Sequence, residues 1–221
     1  MNIHRLLSLL VVVVVFALAS RAASAQDERP TVRIGSKAFT ESVVLGEILS
    51  RLAEDAGAGA IHRTLGGTPV VWHALLAGEI DCYVDYTGTI KEEILKGESI
   101  TTIEQMRAEL AERGIRMSQP IGFNNTYALG ISRKLAEQHP DLKTISDLRR
   151  YPDLRYGFGN EFMDRSDGWP ALSAAYGLPR ANASGLDHDL AYRGLEAGSI
   201  DVMDVYTTDA EIEYYGIRLL R

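Results

Sequence analysis

Residues 74–89 read ALLAGEIDCYVDYTGT, and residues 194–209 read GLEAGSIDVMDVYTTD. Set 120 positions apart, Leu75/Leu195, Ala77/Ala197, Gly78/Gly198, Ile80/Ile200, Asp81/Asp201, Tyr86/Tyr206 and Thr87/Thr207 coincide. Each copy has the grammar of a helix, a glycine that stops it, an alternating strand, and a Tyr-Thr pair where the strand ends. A second echo pairs Arg33-Ile34-Gly35 with Arg155-Tyr156-Gly157, 122 positions apart. Helix-glycine-strand units are common in α/β chains, so shared grammar is the plain explanation. The sharper one is two similar lobes, each offering a Tyr-Thr tip to one cleft. Open α/β sheets take ligands at the carboxyl ends of their strands, which is where those tips fall.

Outward from the repeat, the pattern keeps alternating. Thr31 to Gly35 reads as a short buried strand, followed by Thr40 as an N-cap and a helix gathering Leu45, Ile48, Leu49 and Leu52 on one face. Gly57 is placed to end that helix. A second helix is expected over Val70–Ala77, closed by Gly78, and a strand over Ile80–Tyr86. Thr102 and Gln105 make a capping-box pattern for a helix carrying Ile103, Met106 and Leu110, with Gly114 at its end. The alternation predicts an α/β fold with mainly parallel strand pairing.

The start of the chain reads as an export signal. Met1 to Arg5 is short and basic, Leu6 to Ala19 is apolar, and Ala23-Ser24-Ala25 has the small-x-small pattern of a cleavage site. The apolar run is shorter than the ~20 residues a membrane-crossing helix needs. Removing residues 1–25 takes away Arg5 and Arg21 and no acids, so the formal charge moves from −7 to −9, 21 basic residues against 30 acidic. Such a chain is a poor partner for phosphate backbones, and nucleic acid is not expected. Cys82 is the one cysteine, so no internal disulfide is expected, and it reads as a small apolar strand residue.

His62, His73, His139 and His188 show no metal-ligand spacing, and the chain carries no G-x-S-x-G, no phosphate loop and no H-E-x-x-H. No catalytic residue, metal or cofactor is therefore assigned. The polar-aromatic loops carry more. Tyr86-Thr87-Gly88-Thr89 ends a strand, Asn125-Thr126-Tyr127 opens the apolar strand Ala128–Ile131, and Tyr206-Thr207-Thr208-Asp209 ends another. One tyrosine at a strand end is usually half-buried core. Three, each beside Thr or Asn, can present electron-rich faces to a cation that donates no hydrogen bonds, each face worth roughly 0.5–2 kcal/mol. Lys37, in the turn after the first strand, and Arg165, after the equivalent turn of the second copy, are placed to share a carboxylate.

The segments GSKAFTESVVLGEIL (35–49), LGGTPVVWHALLAGEIDCYVDYTGT (65–89), IGFNNTYALGI (121–131) and IDVMDVYTTDA (200–210) resemble the substrate-binding proteins of glycine betaine/carnitine/choline ABC transporters. The resemblance covers essentially all of the chain after residue 25. It implies a two-lobed periplasmic binding protein of type II that closes on its ligand by hinge motion. It also implies a cage of Tyr86, Tyr127 and Tyr206 around a quaternary ammonium, with Lys37, Thr89, Asn125 and Arg165 holding a carboxylate such as that of glycine betaine. The expected organisation is a signal peptide over 1–25, lobe one over 26–122, lobe two over 123–217, and the start of a return segment over 218–221. Members of that family continue past the position of Arg221, so the C-terminal part is expected to be truncated. The implied product is a periplasmic monomer that hands its ligand to an ABC permease with its ATPase and does no chemistry. A choline-, carnitine- or amino-acid-binding protein of the same fold, or a secreted enzyme, are the alternatives.

Overall fold

The computed structural model describes residues 29–221, and the expected signal segment 1–25 lies outside them. Strand β1 (Thr31–Ser36) leads into helix α1 (Thr40–Asp55), strand β2 (Gly59–Thr64), helix α2 (Thr68–Leu76) and strand β3 (Cys82–Tyr83). These strands form a sheet of order β2-β1-β3 with both pairings parallel. A helical turn at Thr87–Thr89 runs into π-helical Ile90–Ile94 and then α3 (Ile103–Glu112). The capping box of Thr102 and Gln105 is formed in both directions.

The second half begins with β4 (Tyr127–Ile131) and α4 (Arg133–Gln138). It continues through β5 (Tyr156–Gly159), α5 (Asn160–Asp164), α6 (Trp169–Tyr176), β6 (Ala183–Leu186), α7 (His188–Ala197), β7 (Val202–Tyr206), α8 (Glu211–Tyr214) and β8 (Arg218–Leu220). The sheet order is β6-β5-β7-β4-β8. Its first three strands repeat the order of the first sheet and are parallel, while β4 runs antiparallel to both β7 and β8. Parallel pairing therefore holds within each repeat unit, and β4 is the exception.

The two sequence echoes turn out to bond to one another. In the first sheet Arg33 donates from Nε and Nη2 to the Asp81 carboxylate, at 3.0 and 2.6 Å, and from Nη1 to the Gly78 carbonyl at 2.6 Å. In the second, Arg155 donates from Nε and Nη2 to Asp201, both at 2.9 Å, and from Nη2 to the Gly198 carbonyl at 2.7 Å. Gly78 (φ 68°) and Gly198 (φ 70°) both take the left-handed conformation that closes the preceding helix. Helix end, strand start and neighbouring strand are thus pinned identically in both halves.

Three expectations need correction. Strand β3 stops at Tyr83 rather than Tyr86: among the described residues it has a ladder partner on one side only, β1, whereas β7 lies between β5 and β4 and stays extended through Tyr206. Thr40 is the first helical residue and not the cap; Phe39, with extended backbone, holds the cap position, and the Thr40 hydroxyl reaches the Asp189 carboxylate at 3.3 Å. Helix α1 buries its apolar side only in part: Leu45 and Leu49 are half-buried. Ser42, Gly46 and Ser50 face the sheet, while Val44, Ile48 and Leu52 are exposed. The cause is close approach: a Cβ at Gly46 would lie 2.5 Å from Nε2 of His62, which is fixed by Ser36 and Glu47. Only small residues fit there.

The larger core lies in the second half, where Tyr156, Phe158, Phe162 and Trp169 pack with Leu129, Ile131 and Val202. On the other face of the same sheet Tyr192, Leu195, Met203 and Val205 form a second cluster. The first sheet unit has a smaller cluster of its own, Val71, Ala74 and Ile80. Cys82 is a half-buried free thiol in β3.

Candidate functional site

Lys37 follows β1, Tyr86 and Thr89 follow β3, Asn125 and Tyr127 open β4, Arg165 follows α5, and Tyr206 ends β7. All seven line one cavity of about 160 Å³, together with Phe39, Gly88, Thr126, Glu161 and Asp167. The antiparallel course of β4 is what brings its first residue to this end. Tyr127 lies directly opposite Tyr206 in the β4/β7 register, and their ring centroids are 5.0 Å apart at 45°. They form adjoining walls, not facing ones. Phe39 comes from the other sheet unit and meets Tyr206 at 4.6 Å. Burial pushes the phenols of Tyr86, Tyr127 and Tyr206 well above their ordinary range, so the rings are neutral.

The charged groups are extensively paired. Lys37 is buried, and its ammonium donates to Asp85 at 2.8 Å and to the Thr68 hydroxyl at 3.0 Å, 5.7 Å from the Tyr86 ring centroid. Arg165 is buried too. Its Nε and Nη2 grip Asp167 at 2.8 and 2.6 Å, its Nη1 donates to Thr89 at 2.8 Å, and its guanidinium sits 5.6 Å from the Tyr127 centroid. The bidentate edge expected to hold a carboxylate therefore holds Asp167. Asn125 donates to Glu41, which also accepts from the Tyr86 hydroxyl, and its Oδ1 is buried with no partner among the described residues.

Contacts between the halves converge on the cleft. Glu161 accepts from the Thr68 amide at 2.9 Å and from the Thr68 hydroxyl, and Glu93 accepts from the Ser166 amide and hydroxyl at 3.1 and 2.7 Å. Behind Tyr206 stands His188, with ring centroids 4.4 Å apart. Its Nε2 is 2.9 Å from Asp209 and its Nδ1 3.6 Å from Asp204, a residue with no solvent exposure. Burial alone would push the imidazole down; the two carboxylates outweigh it and hold its pKa up at about 9. Asp209 also accepts from the Tyr206 amide and the Tyr192 hydroxyl, which fixes the Tyr-Thr tip.

Sequence reasoning missed Phe39, Glu41, Glu161, Asp167 and the His188 group. One signal for Glu161 was available, its spacing of four from Arg165, the residue that follows α5. Asp167 and Glu41 carry no distinguishing pattern.

The family model described as the substrate binding domain of ABC-type glycine betaine transport system matches residues 30–221. The chain is 33% identical over 208 residues to the ergothioneine transport permease/ergothioneine binding protein EgtU of Helicobacter pylori, covering 90% of this chain and 36% of that protein. It is 34% identical over 204 residues to the carnitine transport binding protein OpuCC of Listeria monocytogenes, covering 87% of this chain and 66% of that protein. The chain thus spans less than two thirds of either relative. A solved structure of a glycine betaine/carnitine/choline ABC transporter superposes with TM-score 0.57 at 24% identity, over 86% of this chain and 74% of that one. The fold is that of the two-lobed type II periplasmic binding proteins.

Proposed function

Because the chain belongs to the family of substrate-binding domains of ABC-type glycine betaine transport systems, we propose that its cleft binds a quaternary-ammonium solute such as glycine betaine. In this reading Tyr86, Tyr127, Tyr206 and Phe39 surround the methylated nitrogen, and Lys37, Thr89, Asn125 and Arg165 receive the carboxylate. The supporting observation is that residues from both sheet units line one cavity, and that the neutral rings of Phe39, Tyr86, Tyr127 and Tyr206 form part of its wall beside the charged groups. Such walls suit a cation without N–H donors, since each ring face adds attraction and no buried donor is left unpaired. Closure of the lobes would present the complex to a membrane permease and its ATPase, outside the cytoplasm, after removal of the signal segment.

A second reading, a ligand whose one charge is its ammonium, draws support from the internal pairing of Lys37 with Asp85 and of Arg165 with Asp167. Calorimetric titration with glycine betaine, carnitine, choline and ergothioneine tests both readings. Saturable binding of at least one, with micromolar or tighter affinity, is expected. Binding of none, in a chain that unfolds cooperatively, would sink the quaternary-ammonium assignment.

A further inference from the structure

Glu161 lies between Lys37 and Arg165, the two cations that the proposed function assigns to a ligand carboxylate. Its Oε1 is 3.9 Å from Lys37 Nζ and 3.9 Å from Arg165 Nη1, and its side chain is 13% exposed. Both cations already have nearer partners, Asp85 at 2.8 Å and Asp167 at 2.6 Å. Glu161 is therefore a third carboxylate shared by two satisfied cations. What holds it there comes from the opposite lobe. Helix α2 has Gly67 at its cap position, with no side chain to receive the first amides, and Glu161 accepts from the Thr68 amide and hydroxyl instead. The helix is capped in trans. Gly67 makes room for this, because a Cβ there would collide with Glu161 Oε2.

We propose that Glu161 is the residue that sets the preference between ligands with and without a carboxylate. Docked on α2, it closes the cleft over a bare quaternary ammonium with its own negative charge as the counterion. A ligand carboxylate can reach Lys37 and Arg165 only by displacing that charge and uncapping α2. This deepens the proposed function and rests on it: the aromatic box takes the ammonium in either case, and Glu161 decides what the other end of the ligand can be.

Glu161→Gln keeps the shape and an acceptor for Thr68 while removing the charge. Titrations of the wild type and the variant with glycine betaine and with choline give the ratio of the two affinities. The variant is expected to move that ratio toward glycine betaine by ~10-fold, because one unit of like charge near the carboxylate is gone. Gly67→Ala, which touches no ligand, should move it in the same direction by pushing Glu161 off its cap. A shift of more than threefold toward glycine betaine in either soluble variant supports the inference. A smaller shift, or one toward choline, in both soluble variants overturns it. If the wild type binds neither compound, this inference falls, and the quaternary-ammonium reading falls with it only where carnitine and ergothioneine do not bind either; if it binds and the ratio stays put, only the inference falls.

Discussion

Phe39 and Tyr206 meet ring to ring across the cleft, centroids 4.6 Å apart, although one precedes α1 in the first lobe and the other ends β7 in the second. Phe39 adds a fourth aromatic wall, and Tyr206 depends on it to fill the space beside its ring. Phe39→Ala should weaken binding of a quaternary-ammonium ligand about 5–30-fold, on the order of 1–2 kcal/mol. Calorimetry reads this directly; an affinity unchanged within twofold would remove Phe39 from the site.

Arg165 is expected to act on carboxylate-bearing ligands and not on bare cations. Arg165→Ala should cost glycine betaine about tenfold or more, the loss of a charged hydrogen bond. Choline should be held equally well or better, because Asp167 is then left uncompensated beside the cavity. Equal losses for the two ligands would eliminate the carboxylate role.

His188 should make stability pH-dependent in a defined window. Its folded pKa of about 9 stands above the ordinary 6.5, so its contribution is complete below about pH 6.5 and is lost as pH rises through 9. The stability difference between wild type and His188→Gln should shrink by roughly 2–3 kcal/mol from pH 6 to pH 9.5. Urea denaturation at the two pH values measures it. A constant difference would mean that the fold does not raise the imidazole's pKa.

Helix α1 supplies a test of which face is packed. Gly46→Ala forces a methyl against His62 and should cost about 1–3 kcal/mol, whereas Ile48→Lys on the exposed side should change stability by less than ~0.5 kcal/mol. Thermal melts that reverse this order would show that the apolar side of α1 is the buried one.

That helix also marks where the sequence stops being legible. Periodicity identifies α1 and its apolar stripe, but which stripe faces the sheet is decided by His62, which lies across from Gly46 only once β2 is in place. The repeat was readable because Arg33–Asp81 and Arg155–Asp201 perform one structural task twice, and a task done twice leaves two copies of its residues. The seven residues expected at the site do line one cavity, since strand ends in parallel units converge by topology and the antiparallel β4 brings its first residue to the same end. Glu161, Asp167 and Glu41 escaped notice because a carboxylate facing solvent and one facing a cleft look alike in one dimension. Thr40 misled for a related reason: its hydroxyl serves Asp189, a partner 149 positions away.

Tyr127 and Tyr206 sit side by side on neighbouring strands of one sheet, so any hinge that parts the lobes carries Tyr86 and Phe39 away but leaves this corner whole. An arriving solute would find half its berth already built on lobe two, and would wait there for the remaining walls to swing in. Damage to lobe one should then shorten how long the solute stays far more than it slows how fast it lands.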